Sequence, residues 1–167
     1  MHILLLEPEI PGNTGNIARF CAAENVKLHL VKPLGFSLED RYLKRAGLDY
    51  WNLLDVQIHE DYQEACKHLA GHHFYFNTTK ANKVYTEVSF TNDDVLVFGK
   101  ESVGLPEELL MAHEADCIRI PMIMEARSLN LSNAVAIVTM EALRQIGFPK
   151  LAEKDYRLFK GGNKNGI

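Results

Sequence analysis

Short apolar runs alternate with longer stretches of helical periodicity along most of the chain. Residues 3–6 form a continuous apolar run of the length a buried strand takes. Residues 7–16, with Pro8, Pro11, Gly12 and Gly15, predict a rigid, turn-rich loop, because proline fixes φ and glycine permits positive φ. A helix through Ile17, Phe20, Cys21 and Ala22 follows. Residues 28–31 predict a second strand, closed by Lys32, Pro33 and a turn at Gly35. Ser37 with Asp40 three positions on resembles a capping box, for a helix ending at Gly47. Residues 56–58 are a weak strand, and Asp61 opens a helix through Ala65 and Leu69 to Gly71. Residues 73–76 and 95–98 predict further strands, separated by the polar region 77–94. Pro106 marks the first position of a short helix.

The last third is the most distinctive. Residues 117–120 read as a strand stopped by Pro121, which has no N–H for a ladder. A loop with Arg127, Ser128 and Asn130 then feeds a long helix that ends near Gly147. Serine and asparagine suit that entrance, because their side chains accept from orphan backbone N–H groups. Leu131, Ala134, Val135, Ala136, Ile137, Val138, Met140 and Leu143 leave the helix almost no polar face. Such a helix is buried on both sides, here against the core and against a partner subunit. Residues 1–149 therefore predict a single α/β domain with a mostly parallel sheet flanked by helices. Residues 150–167 lose periodicity and predict a partly disordered tail.

Composition adds limits. The 167 residues are 47% hydrophobic and 24% charged, as in an ordinary globule. The net charge of −4 argues against indiscriminate nucleic-acid binding but permits a local basic patch. Cys21, Cys66 and Cys117 lie far apart and fit buried thiols in a reducing cytoplasm better than disulfides or zinc. No stretch approaches a signal sequence or a membrane span.

Three polar segments leave predicted strands at their carboxyl ends, where open α/β sheets bind ligands: residues 13–19, 99–104 and 121–133. The first is not a dinucleotide fingerprint, and strand two ends in Lys32 instead of an acid. His68/His72 and His113/Cys117 have helical spacing, but surface histidines and a core thiol explain them better than metal ligation. There is no Gly-x-Ser-x-Gly elbow. Arg41, Lys44 and Arg45 share one helical face, which suits a solvated surface or a phosphate-contacting stripe equally well.

Asn13-Thr-Gly-Asn-Ile-Ala-Arg19, Phe98-Gly-Lys-Glu-Ser-Val-Gly-Leu-Pro106, and Ile118-Arg-Ile-Pro-Met122 with Ser128-Leu-Asn-Leu-Ser-Asn-Ala-Val135 resemble the three motifs of the SpoU–TrmD (SPOUT) methyltransferases. Residues 7–11 and 33–50 are similar to one subgroup, the minimal TrmL/YibK-like tRNA 2′-O-methyltransferases. The resemblance covers residues 2–148. It implies a homodimer and a C-terminal trefoil knot that forms the S-adenosylmethionine site. Pattern arguments alone exclude a knot by default.

Carried over residue by residue, the resemblance puts the cofactor against Asn77, Gly99, Ile120 and Ser128, with Leu129 and Asn130 close by. Glycine at 99 suits close backbone approach to a ligand. Arg19 is the implied catalytic residue, reaching the partner's site. Since a guanidinium keeps its proton beyond about pH 12, its expected work is to grip the target phosphate and stabilise a developing alkoxide. Asn16 would orient the loop or ribose, Glu101 would hold Arg19 or the knot loop, and Ser132 and Asn133 would complete the site. A second reading of Glu101 is a charge favoured by the dipole of the helix after Pro106. The family often has Leu in place of Asn77 and Pro in place of Lys100. The implied reaction is methyl transfer to the ribose 2′-hydroxyl of the wobble nucleotide, cytidine or uridine, in the tRNA anticodon loop. Arg41, Lys44, Arg45, Lys150, Lys154 and Arg157 are the candidate phosphate contacts. Ribosomal RNA as substrate, or a non-catalytic cofactor-binding module, are the alternatives. Neither a metal nor a membrane is expected.

Overall fold

The structure is a computed structural model that describes residues 1–37 and 54–151. Its strands are β1 (His2–Leu6), β2 (Lys27–Val31), β3 (Val56–His59), β4 (Phe74–Asn77), β5 (Lys83–Val84), β6 (Val95–Phe98) and β7 (Cys117–Arg119). They form one seven-stranded sheet in the order β3-β2-β1-β6-β4-β7-β5. Every pairing is parallel. The helices are α1 (Pro11–Glu24), α2 (Tyr62–His68), α3 (Glu107–Ala112) and α4 (Leu131–Gln145).

A parallel sheet needs crossovers that cover both faces, so its central strands read as unbroken apolar runs. The period of two divides them cleanly. Ile3 and Leu5 of β1, Leu28 and Leu30 of β2, and Leu96 and Phe98 of β6 pack with Ile17 and Cys21 of α1 and Val135 and Val138 of α4. Leu4, Leu6, Val31, Val95 and Val97 point the other way, to Ala65 of α2, Leu69 at its end and Leu110 of α3. Asp61 caps α2, its side chain accepting from the Glu64 N–H at 2.8 Å, and Gly71 and Gly147 turn at positive φ after α2 and α4. Among the described residues no helix is long and apolar enough to cross a membrane.

Several boundaries differ from expectation. Helix α1 begins at Pro11, so Asn13, Thr14, Gly15 and Asn16 are helical instead of looped. Pro106 stands just outside α3. The polar region after β4 holds the two-residue β5 and a 3-10 turn, Tyr85–Glu87. Cys21 and Cys117 are buried as expected, but Cys66 is only partly so. The predicted helix ending at Gly47, with Arg41, Lys44 and Arg45, and the tail with Lys154 and Arg157, lie outside the described residues.

The sheet face under α2 carries a row of histidines. His2 Nδ1 lies 2.9 Å from His29 Nε2, and His29 Nδ1 lies 3.0 Å from His59 Nε2. A neutral imidazole has one donor and one acceptor nitrogen, so three rings across β1, β2 and β3 satisfy one another. His68 and His72 pack on them from α2 and the turn that follows it. Burial, reinforced by the N-terminal ammonium and His72, pushes His2 down to about 4; burial, reinforced by His2, His59 and His68, pushes His29 down to about 3. Nearby Lys27 acts in the same direction, and Asp93 opposes it only for His2. Burial and His68 also lower His59, against Glu64.

These rings stay neutral in the folded chain while the unfolded chain protonates them below about pH 6.5. Stability is therefore full above that pH and falls between about 6.5 and 4, by on the order of 1.4 kcal/mol per pH unit for each histidine held neutral. Urea denaturation across that window should show the loss, with a shallower slope in His29→Gln. A flat profile down to pH 5 would contradict the buried neutral row.

Candidate functional site

The carboxyl ends of β6, β4 and β7 lie side by side, and the segments that leave them enclose a cleft of about 480 Å³. That volume is within the range of small-molecule sites, about 300–1,000 Å³. Phe98, Ile118 and Ile120 are among its apolar lining residues, and Thr78, Thr79 and Lys80 follow β4 into it. Of the residues expected at the site, Asn77, Gly99, Glu101, Ile120, Ser128, Leu129 and Asn130 line this one cleft. Ser132 and Asn133 sit beside it in the first turn of α4. Asn16 and Arg19 do not line it; they are three positions apart on the exposed side of α1.

One residue of the 13–19 segment that had no role of its own in the sequence reading joins the pieces. Asn13 is buried in the first turn of α1. Its Nδ2 donates to Glu101 Oε1 at 2.9 Å, and its Oδ1 accepts from Asn130 Nδ2 at 2.9 Å. Glu101 also accepts from the backbone N–H of Glu9 at 2.8 Å and of Ile10 at 3.3 Å. This carboxylate is therefore a helix N-terminal charge, but for α1 and not for the helix after Pro106. Residue Ile10, at the helix entrance, has no side chain able to cap, so the carboxylate supplies the missing acceptor. At the far end, Asn130 Oδ1 accepts from the N–H and hydroxyl of Ser132 (3.0 and 2.7 Å) and the N–H of Asn133 (3.4 Å). That is an N-cap for α4, as expected of an asparagine at a helix start. Ser132 thus reinforces the cap.

Gly99 also meets a packing constraint that was not expected. A Cβ there would lie 2.2 Å from the Gly104 carbonyl carbon and 2.3 Å from the Leu105 nitrogen. The glycine is needed because its own loop folds back on it. Gly104, at φ +75, closes this hairpin by donating its N–H to the Lys100 carbonyl at 2.9 Å. Ser102 binds Glu9 through both its N–H and hydroxyl, at 2.9 and 2.8 Å, which holds the Glu9 carboxyl below its ordinary range.

Asn77 donates to the Val97 carbonyl at 3.3 Å, while its buried Oδ1 has no partner among the described residues. A buried acceptor without a donor is costly, and Asn77 is among the residues that line the cleft. Between Ile120 and Asn130 the internal backbone bond described is Ala126 N–H to the Ile123 carbonyl, 3.1 Å. Among the described residues, the main-chain groups from Arg127 to Leu129 have no backbone partner.

The SpoU rRNA Methylase family model matches residues 1–140. The chain belongs to the SpoU methylase family. Among curated relatives, the tRNA (cytidine(34)-2′-O)-methyltransferase of Methylovorus glucosotrophus is 50% identical over 147 residues, 87% of this chain and 96% of that protein. The Escherichia coli K12 protein of the same name is 44% identical over 156 residues, 93% and 99% of the two chains. A solved structure concerned with 2-OH methylation of C/U34 on tRNA matches with TM-score 0.84 and 43% identity, covering 87% of this chain and 95% of that one. An AdoMet-bound rRNA methyltransferase from Sinorhizobium meliloti matches with TM-score 0.76 at 25% identity, covering 87% and 56%. The second and third motif segments, with Asn13 of the first, thus meet at one cleft.

Gly99→Ala should lower stability by roughly 1–3 kcal/mol, the scale of forced overpacking, and loosen the 99–105 hairpin. Thermal unfolding reads the first effect; a wild-type midpoint would contradict the close backbone packing.

Proposed function

We propose that the cleft binds S-adenosylmethionine and that this chain methylates the ribose 2′-hydroxyl of nucleotide 34, cytidine or uridine, in the anticodon loop of tRNA. The observation that carries the reading is the convergence of Asn77, Gly99, Glu101, Ile120 and residues 128–130 on one cleft at the strand ends. Relatives 44–50% identical over most of their length bear the corresponding activity in their names. The cofactor fits on structural grounds. The volume suits a nucleoside-sized ligand, the Asn77 acceptor is unpaired, and the 120–130 loop offers main-chain groups. Asn77, Gly99, Ile120, Ser128, Leu129 and Asn130 would hold it. When bound, it supplies a methyl group already activated on a sulfonium, so the protein's task is alignment and removal of one hydroxyl proton.

Two copies are needed for that alignment. Arg19 and Asn16 are exposed on α1 and do not line the cleft of their own chain. Helix α4 buries Val135, Val138, Ala142 and Leu143 inwards but leaves Ile137 and Met140 each 38% exposed. An uncovered apolar strip of this kind on a helix suits a second subunit. A homodimer covers it and brings Arg19 of one chain to the cleft of the other. There the guanidinium grips the target phosphate bidentately and stabilises the alkoxide as the proton leaves to phosphate or water. Glu101 keeps the start of α1, and hence this arginine, in position. The C-terminal trefoil knot, the cytoplasmic location and the single domain over residues 1–149 belong to the same reading. So do phosphate contacts by Arg41, Lys44, Arg45, Lys150, Lys154 and Arg157. Ribosomal RNA is the second reading, carried by the 25% identical Sinorhizobium meliloti enzyme.

Purified protein with tRNA and S-adenosylmethionine should yield 2′-O-methylated cytidine or uridine at position 34, read by nucleoside mass spectrometry. Methylation confined to ribosomal RNA would overturn the tRNA assignment. Arg19→Lys should cut turnover by on the order of 10²-fold, because an ammonium cannot reproduce the fork. Near-normal turnover would remove the bidentate grip.

A further inference from the structure

Glu101 and Ser102 tie the hairpin after β6 to the segment before α1, and a third tie lies beside them. Lys100 Nζ is 2.6 Å from Glu7 Oε2, with each side chain 31% exposed. Every other described ion pair has a partner at least 50% exposed. The Lys100 backbone is fixed by the hairpin, through its carbonyl to Gly104 and through the close packing of Gly99 on Gly104 and Leu105. Glu7 is fixed as well. It adopts φ +51, and its N–H donates to the Val31 carbonyl at 3.0 Å. The pair thus joins two rigid points at the edge of the cleft, which Lys100 lines and Glu7 does not. The carboxylates Glu7 and Glu9 both favour the ammonium, whose pKa is raised chiefly by the bond to Glu7.

The geometry points to Lys100 as a positioning residue for the cofactor cleft, acting through Glu7, and not as a contact to RNA phosphate. An ammonium already bonded to a carboxylate in a half-buried setting has surrendered much of its attraction for a phosphate. What it does provide is a fixed distance between the 99–105 hairpin and the strand-to-helix turn at Glu7. That distance sets the width of the cleft between Gly99 and the start of α1. This inference rests on the methyltransferase reading.

Calorimetric titration of S-adenosylmethionine into the full chain tests it, together with tRNA binding across a salt series. Lys100→Met and Glu7→Gln should each weaken S-adenosylmethionine binding roughly two- to fivefold, the scale of a partly exposed ion pair. KM for the cofactor should rise while kcat is kept. The salt slope of tRNA affinity should be unchanged, since no counterion-releasing contact is lost. The charge-reversed double variant, Lys100→Glu with Glu7→Lys, should bind the cofactor more tightly than either single variant. A loss of tRNA salt slope in Lys100→Met with cofactor affinity intact would make the residue a phosphate contact and overturn the inference. A reversed pair no better than the singles would do the same. Wild-type protein that takes up no S-adenosylmethionine would overturn the methyltransferase reading itself. Wild-type uptake with unaltered variants would sink the role of the pair alone.

Discussion

Both polar atoms of one buried amide hold the site together. Asn13 gives its N–H to Glu101 and accepts from Asn130, so a single side chain is bonded to the loop after β6 and to the entrance of α4. Each partner in turn satisfies the N-terminus of a helix: Glu101 that of α1, Asn130 that of α4. Two helix starts and a strand-end loop are thereby fixed to one point. Orphan N–H groups at helix ends demand acceptors, and the same acceptors that answer this demand shape the cleft. Stability and site geometry are one set of bonds here.

The layered fold was largely readable from local pattern. Four-residue apolar runs bounded by proline or glycine gave β6 at its observed limits and β1, β2 and β4 within a residue, because burial on both faces leaves a continuous run. Helix α4 was readable too, since its asparagine cap is local. The start of α1 was not. Pro11, Gly12, Asn13 and Gly15 look like loop, and Ile10 offers no cap; the acceptor that permits a helix comes from Glu101, more than ninety positions later. Neither a two-residue strand such as β5 nor a cross-chain bond of this kind leaves a periodic trace.

The residues of the site divide in the same way. Ser128, Asn130, Gly99 and Glu101 were found through motif resemblance, and they do meet. For two of them the structure adds a packing or capping reason that was not foreseen. Gly99 makes room for its own hairpin, and Glu101 serves a helix on the other side of the cleft. Asn13 stood in the candidate segment 13–19 but received no role of its own, because the neighbouring Asn16 carries the same chemistry and only burial separates the two: one buried, one exposed. The distant pair Lys100 and Glu7 follows the same logic, since charges far apart in sequence have no spacing to betray them.

Amide hydrogen exchange in Asn13→Ala tests the central claim most directly. If the asparagine links the two helix starts, protection should fall together at Glu9 and Ile10 and at Ser132 and Asn133, while β1 and β6 keep theirs. Unchanged protection at either pair would show that the two ends are held independently, and the account of a shared junction would fail.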